Sequence, residues 1–96
     1  MKKFENKKTE IINGESIMSY AQLANLCIKN VNPQKGLTLE EMRQGIKIMD
    51  ILEKEPENIE LEDSDHVFLL QKVNTMPWAT YHKDIVAFAD AVKEAK

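Results

Sequence analysis

The segment Thr38–Lys54, TLEEMRQGIKIMDILEK, carries the clearest structural signal in the chain. Thr38 and Glu41 have the spacing of a capping box, in which each side chain accepts a hydrogen bond from the backbone N–H of the other residue. Apolar residues then recur every three or four positions, which predicts a helix with one buried face. They are Leu39, Met42, Ile46, Met49 and Leu52, with Ile48 and Ile51 widening the stripe. We predict that this helix ends near Lys54, before Pro56.

A shorter helical pattern precedes this segment over Ser19–Asn30, where apolar residues follow the same spacing. Pro33 disfavours the helical conformation at Asn32, so we expect a loop between the two helices. Within the longer helix, Gly45 costs about 1 kcal/mol relative to alanine. We interpret this glycine as the mark of a close crossing between two helices.

Two more helices are expected in the C-terminal half of the chain. The third begins at a cap, Asp63 or Ser64, and continues to about Asn74. Its predicted buried side consists of Val67, Leu70 and Val73. A strand is the alternative for residues 67–70, since so short an apolar run fits both structures. The last helix covers about residues 82–95, with apolar residues at helical spacing: Ile85, Phe88, Ala89 and Val92.

The N-terminal residues differ from the rest in charge and pattern. Residues 1–8 hold four lysines against Glu5, and we expect a flexible basic arm there. Residues 9–18 predict a β-hairpin, because Asn13-Gly14 is a preferred two-residue turn. The alternative is a loose arm followed by Ser16 or Ser19 as a helix cap. Residues 9–96 are then a single helical domain. The predicted fold class is mainly α, a compact bundle of about four helices. The sequence does not decide between the short N-terminal hairpin and its alternative.

Composition limits the possible functions. The 96 residues are 43% hydrophobic and 30% charged, with a net charge of −3. These values are ordinary for a soluble globular domain and exclude a strongly basic nucleic-acid binder. The longest apolar run, Val67–Leu70, is far shorter than the ~20 residues of a membrane span. No apolar stretch follows the first lysines, so we expect no signal peptide, no membrane partner and a cytoplasmic location.

From the sequence we expect that this protein is not an enzyme. It lacks the phosphate-binding loop, the dinucleotide fingerprint and the common zinc-protease and serine-hydrolase motifs. Cys27 lies in an apolar helical setting, which favours a buried, inert thiol over a nucleophile with His66 or His82 as its base. Carboxylates cluster with His66 over residues 60–66, which leaves open a weak Ca²⁺ or Mg²⁺ site or a solvated acidic connector. We therefore predict no catalytic residue, no cofactor and no metal ligand.

Direct nucleic-acid binding is disfavoured. The connection between the first two helices has about eight residues, against 3–4 in a helix-turn-helix motif. The second helix also has more carboxylates than basic side chains, which repels phosphates. The charges are nevertheless distributed unevenly along the sequence, because residues 53–65 hold seven carboxylates and a single basic residue, Lys54. The alternative function is therefore regulation of nucleic-acid transactions, through the basic arm or through an acidic surface that mimics nucleic acid.

The aromatic and apolar residues of the chain favour binding to a protein partner. Tryptophan and tyrosine are the usual anchors of interfaces, and two of them flank a short loop after Pro77. The predicted partner-binding residues are Trp78, Tyr81, Ile48, Ile51 and Met76. The alternative for the two aromatic residues is a lid over the core. We expect a non-enzymatic interaction or assembly protein that associates with itself as a homo-oligomer, with a foreign protein as a further partner.

Four parts of the sequence share a further likeness: Gly36–Arg43, Ile48–Lys54, Trp78 and His82–Phe88. Together they resemble small bacteriophage and prophage proteins of unassigned role. The resemblance covers about two thirds of the chain, includes no catalytic motif and transfers no site. It implies a phage-encoded accessory protein that acts in the host bacterial cytoplasm or in the virion.

Overall fold

The computed structural model describes residues 1–96, the side chain of Asn13 excepted. Helices account for about half of the chain and two antiparallel strand pairs accompany them. The elements are β1 (Lys2–Glu5), β2 (Lys8–Asn13), β3 (Ser16–Ser19), α1 (Tyr20–Lys29), α2 (Leu39–Glu53), β4 (Asn58–Leu61), α3 (Asp63–Thr75) and α4 (Lys83–Lys93). The four helices and the hairpin agree with the prediction. The second strand pair, β1–β4, makes the fold more than a helical bundle.

Helix α2 begins as its sequence predicts. The Thr38 hydroxyl accepts the Glu41 N–H at 3.1 Å, and the Glu41 carboxylate accepts the Thr38 N–H at 3.2 Å. These hydrogen bonds lower the pKa of Glu41 below its ordinary value near 4.5. A Cβ added at Gly45 would lie 3.3 Å from Cγ2 of Ile28, so the glycine marks a close crossing of α1 and α2.

Helix α3 has the predicted extent but a different start and a different buried side. Its N-cap is Glu62, whose side chain makes no capping hydrogen bond, rather than Asp63 or Ser64. Its buried residues are Asp65, His66, Leu69 and Val73, whereas the predicted Val67 is 64% exposed. The difference arises because two polar residues, Asp65 and His66, are buried and form hydrogen bonds to neighbouring helices. Val73 is buried as predicted and Leu70 is half-buried against the core, so the apolar pattern alone is wrong at Val67 and misses the buried polar residues.

The polar residues of α3 are held by α2 and α4. The Asp65 carboxylate lies 3.0 Å from Nζ of Lys47 and accepts a hydrogen bond of 3.1 Å from the Gln44 amide. His66 places Nε2 2.6 Å from the carbonyl of Val92, so the Nε2–H tautomer donates to that carbonyl. Both side chains thus connect α3 to its neighbouring helices.

The hairpin is formed by β2 and β3, with Gly14-Glu15 as its turn in place of the predicted Asn13-Gly14. Asn13 pairs with Ser16, and Gly14 has a φ of 68°, which suits a glycine at the first turn position. A bulge interrupts the ladder. There the Thr9 hydroxyl donates to the Met18 carbonyl at 2.7 Å and accepts the Ile11 N–H at 3.1 Å.

The N-terminal residues are part of the fold, in contrast to the flexible arm predicted for residues 1–8. Residues 2–5 form β1, in which Phe4 is buried opposite Ile59 of β4 and Lys3 pairs with Glu60. Only one inward-facing apolar residue identifies this strand, which is why composition alone suggests an arm. The partner strand β4 lies within the acidic stretch of residues 53–65.

A single apolar cluster lies between the helices and the two strand pairs. Its largest fully buried side chains are Phe88, Leu23, Ile48, Leu52, Ile59, Leu61, Leu69, Val92 and Cys27. Burial raises the pKa of the Cys27 thiol to about 12, as expected for an inert thiol. Among the described residues, no helix is long and apolar enough to cross a membrane.

Candidate protein interaction surface

Helix α2 is apolar on two sides. Ile48 and Leu52 point into the core and are at most 1% exposed. On the opposite side, Leu39, Met42 and Ile46 remain 61%, 45% and 48% exposed. These three residues are spaced by three and four positions, so they form one continuous stripe along the helix. Such a stripe is larger than the isolated exposed apolar residues that most protein surfaces carry.

The stripe borders a surface cavity of about 130 Å³ between α1, α2 and α3. Gly45 lies at the cavity, where its missing side chain allows the close approach of Ile28. The other apolar lining residues are Val31, Leu37, Met42, Ile46, Met49 and Phe68. A cavity of comparable size, about 150 Å³, accepts a benzene molecule when it is lined by aliphatic side chains. We call Leu39, Met42, Ile46 and this cavity the α2 surface.

Among the described residues, three unpaired charges lie on the side of α2 that carries the stripe, namely Arg43, Asp50 and Glu53. Arg43 and Asp50 are exposed and follow Leu39 and Ile46 by four residues each, so they flank the same side of the helix. Neither forms an ion pair with any described side chain. Lys47, the other basic residue between them, is already engaged by Glu62 and Asp65. Two exposed charges of opposite sign therefore lie along one flank of the stripe.

The predicted partner-binding residues do not form one surface. Ile48 is fully buried, so it belongs to the core and cannot contact a partner. Ile51, Met76 and Trp78 are half-buried and pack against the core cluster. Only Tyr81 is fully exposed. Trp78 and Tyr81 do line a common open groove of about 560 Å³ with part of α4.

The apolar spacing predicts Leu39, Met42 and Ile46 on the buried face of α2, whereas the structure places them outside it. The width of the apolar stripe carries a signal for this. Ile48 and Leu52 are separated around the helix axis from Leu39 and Ile46 by much more than one face can bury. One of the two apolar faces of α2 therefore stays uncovered within this chain.

The residues considered for catalysis and metal binding lie apart from one another, or are buried or hydrogen-bonded within the fold. Cys27 is buried, and His66 is bonded to the backbone of α4. His82 caps α4 by accepting the Asp84 N–H at Nδ1, at 3.1 Å. Within the described residues, no group of three or more histidine, cysteine or acidic side chains is arranged to hold a metal ion.

The basic and acidic segments of the sequence lie next to each other. Strand pairing places Lys3 opposite Glu60, and the Met1 amino group lies 3.2 Å from the Asp63 carboxylate. The fold thus brings the basic and acidic segments together at the β1–β4 ladder, where the Met1–Asp63 contact is the one ion pair between them among the described residues. Comparisons with protein-family models, with curated proteins and with solved structures find no match to this chain.

Proposed function

We propose that this chain is a non-enzymatic interaction or assembly protein that associates with itself and acts through the α2 surface. The observation that carries the proposal is the exposed stripe of Leu39, Met42 and Ile46, which runs beside an apolar cavity. Burial of such side chains against a partner contributes about 25 cal/mol per Å² of apolar area. The cavity offers a place for one apolar side chain of the partner, as interface hot spots require.

The resemblance noted in the sequence supports a phage-encoded accessory protein as the setting for this role, in the bacterial cytoplasm or the virion. The alternative role in nucleic-acid transactions has less support. The lysine-rich segment on which that role depends forms strand β1, where Phe4 is buried and Lys3 lies opposite Glu60. A nearby carboxylate repels a phosphate and so reduces what a lysine gains by contacting one.

The test compares two variants in which an exposed apolar residue becomes lysine. Ile46→Lys places a charge in the α2 surface, whereas Val67→Lys makes the same kind of change on the outer side of α3, where Val67 is 64% exposed. Solution mass by light scattering is measured over a concentration series, and both variants and the wild type are used as bait in a bacterial lysate. We expect Ile46→Lys alone to lose association, with unchanged circular dichroism.

Two results would contradict the proposal. One is equal association of all three proteins, which would place the contact elsewhere. The other is a wild-type chain that neither associates with itself nor retains a protein that Ile46→Lys fails to retain. A contact that depends on Trp78 and Tyr81 instead would move the site to the groove before α4.

A further inference from the structure

We propose that the α2 surface binds the α2 surface of a second copy of this chain, with the two helices antiparallel and Arg43 of each copy paired with Asp50 of the other. This inference rests on the proposed function and names its partner and orientation. It follows from the order of charges along the exposed side of the helix.

The exposed side of α2 has the pattern of a helix-pairing seam. Leu39, Met42 and Ile46 occupy positions that repeat every three and four residues, and the half-buried Met49 continues them. Arg43 and Asp50 stand at equivalent positions along one flank, seven residues apart. Seven residues are about two helical turns, so both charges point to the same side.

The placement of these charges selects an antiparallel pair. The midpoint between Arg43 and Asp50 lies between Ile46 and Lys47. A two-fold axis at that point, perpendicular to the helix, brings Arg43 of each copy to the height of Asp50 of the other copy. In a parallel two-fold pair this flank of one copy lies on the opposite side of the seam from the same flank of the other copy, so Arg43 and Asp50 find no partner in each other. An antiparallel two-fold contact is self-complementary, as a closed dimer requires.

The contact is small, so the dimer is expected to be weak. Helix α2 has 15 residues, a length of about 22 Å at 1.5 Å per residue. One helix pair of this length is smaller than a standard interface, which buries about 800 Å² on each partner. We therefore expect a dimer that dissociates on dilution through the micromolar range and weakens as salt screens the two charge pairs.

The test uses two charge reversals, Arg43→Glu and Asp50→Lys, in the full chain. Each variant alone sets like charges against each other twice in the dimer. Because two attractive pairs become two repulsive ones, we expect association to weaken about tenfold or more. In an equal mixture of the two variants, the carboxylate introduced at position 43 meets the ammonium introduced at position 50, and the native Arg43 and Asp50 form the second pair. The mixture should regain wild-type association.

The measurement is sedimentation velocity at a concentration where the wild type is half dimeric. Lys93→Glu and Asp90→Lys, on the exposed side of α4, change net charge equally and should leave the dimer intact. Three results would overturn the proposal: a monomeric wild type, single variants that still dimerise, or a mixture that stays monomeric. In each case the assignment of protein binding to the α2 surface survives if Ile46→Lys still abolishes binding of a foreign protein, so failure of the dimer and failure of the surface are distinguishable.

Discussion

The Ser19 hydroxyl donates a hydrogen bond of 2.6 Å to Oε1 of Glu55, 36 residues further along the chain. The same hydroxyl accepts the Gln22 N–H as the N-cap of α1, while Glu55 follows the end of α2 with a positive φ of 47°. The Asn6 amide contacts the same carboxylate oxygen at 3.3 Å. These contacts join the start of α1 to the end of α2 and to the residue after β1, and so hold the two helices that build the α2 surface.

Replacement of Glu55 by alanine should lower the free energy of unfolding by about 1–2 kcal/mol, because the hydrogen bond from Ser19 is partly buried and its acceptor is charged. Glu55→Gly should cost less than Glu55→Ala, since glycine adopts a positive φ without strain. Urea unfolding measures both. Glu57→Ala, an exposed neighbour, is the control. Equal losses for the alanine and glycine variants would show that backbone strain at this position is negligible.

Asp65→Asn should destabilise the chain by about 1–3 kcal/mol, because Asp65 is 2% exposed and its carboxylate faces Lys47. The neutral amide retains the shape of the side chain but leaves the lysine without its nearest anion. Thermal or urea unfolding gives the size of the loss. Asp90→Asn on exposed α4 should change stability by less than about 0.5 kcal/mol. A similar value for both variants would mean that the pair of buried Asp65 and exposed Lys47 contributes nothing net.

The capping box of α2 predicts a defined acid response. Hydrogen bonds from Thr38 lower the pKa of Glu41 in the folded chain. The carboxylate therefore stabilises the fold above its unfolded pKa near 4.5, and this stabilisation is lost as the pH falls through the lower folded pKa. Glu41→Gln should flatten that part of the stability profile, measured by unfolding between pH 6 and about 3. Glu40→Gln, next in the sequence, should retain the wild-type slope.

Trp78 and Tyr81 should differ when each is replaced by alanine. Trp78 packs against the core cluster while half-exposed, so Trp78→Ala should cost about 1–3 kcal/mol. Tyr81 is fully exposed, and Tyr81→Ala should stay within about 0.5 kcal/mol of the wild type. The measurements are urea unfolding and light scattering on the same samples. A Trp78→Ala variant that loses association but keeps its stability would restore the interpretation of Trp78 as an interface anchor.

Local interactions explain what could be predicted from the sequence. The capping box at Thr38 and Glu41 joins residues three apart, so its geometry depends on nothing outside α2. The helical spacing of Phe88 and Val92 correctly places α4 against the core. Gly45 also indicates the close helix crossing, because a missing side chain inside a helix has few other uses.

Tertiary contacts determine the features of the fold that the sequence did not predict. The buried face of α3 depends on Lys47 and on the Val92 carbonyl, which supply partners for Asp65 and His66 from distant parts of the chain. Strand β1 exists because β4 pairs with it across more than fifty residues. Likewise, the sequence marked α2 as apolar, but only the packing of α1 and the strands determined that Ile48 is buried while Ile46 stays exposed. Periodicity gives the pattern around a helix, whereas the neighbours present in three dimensions determine which side they cover.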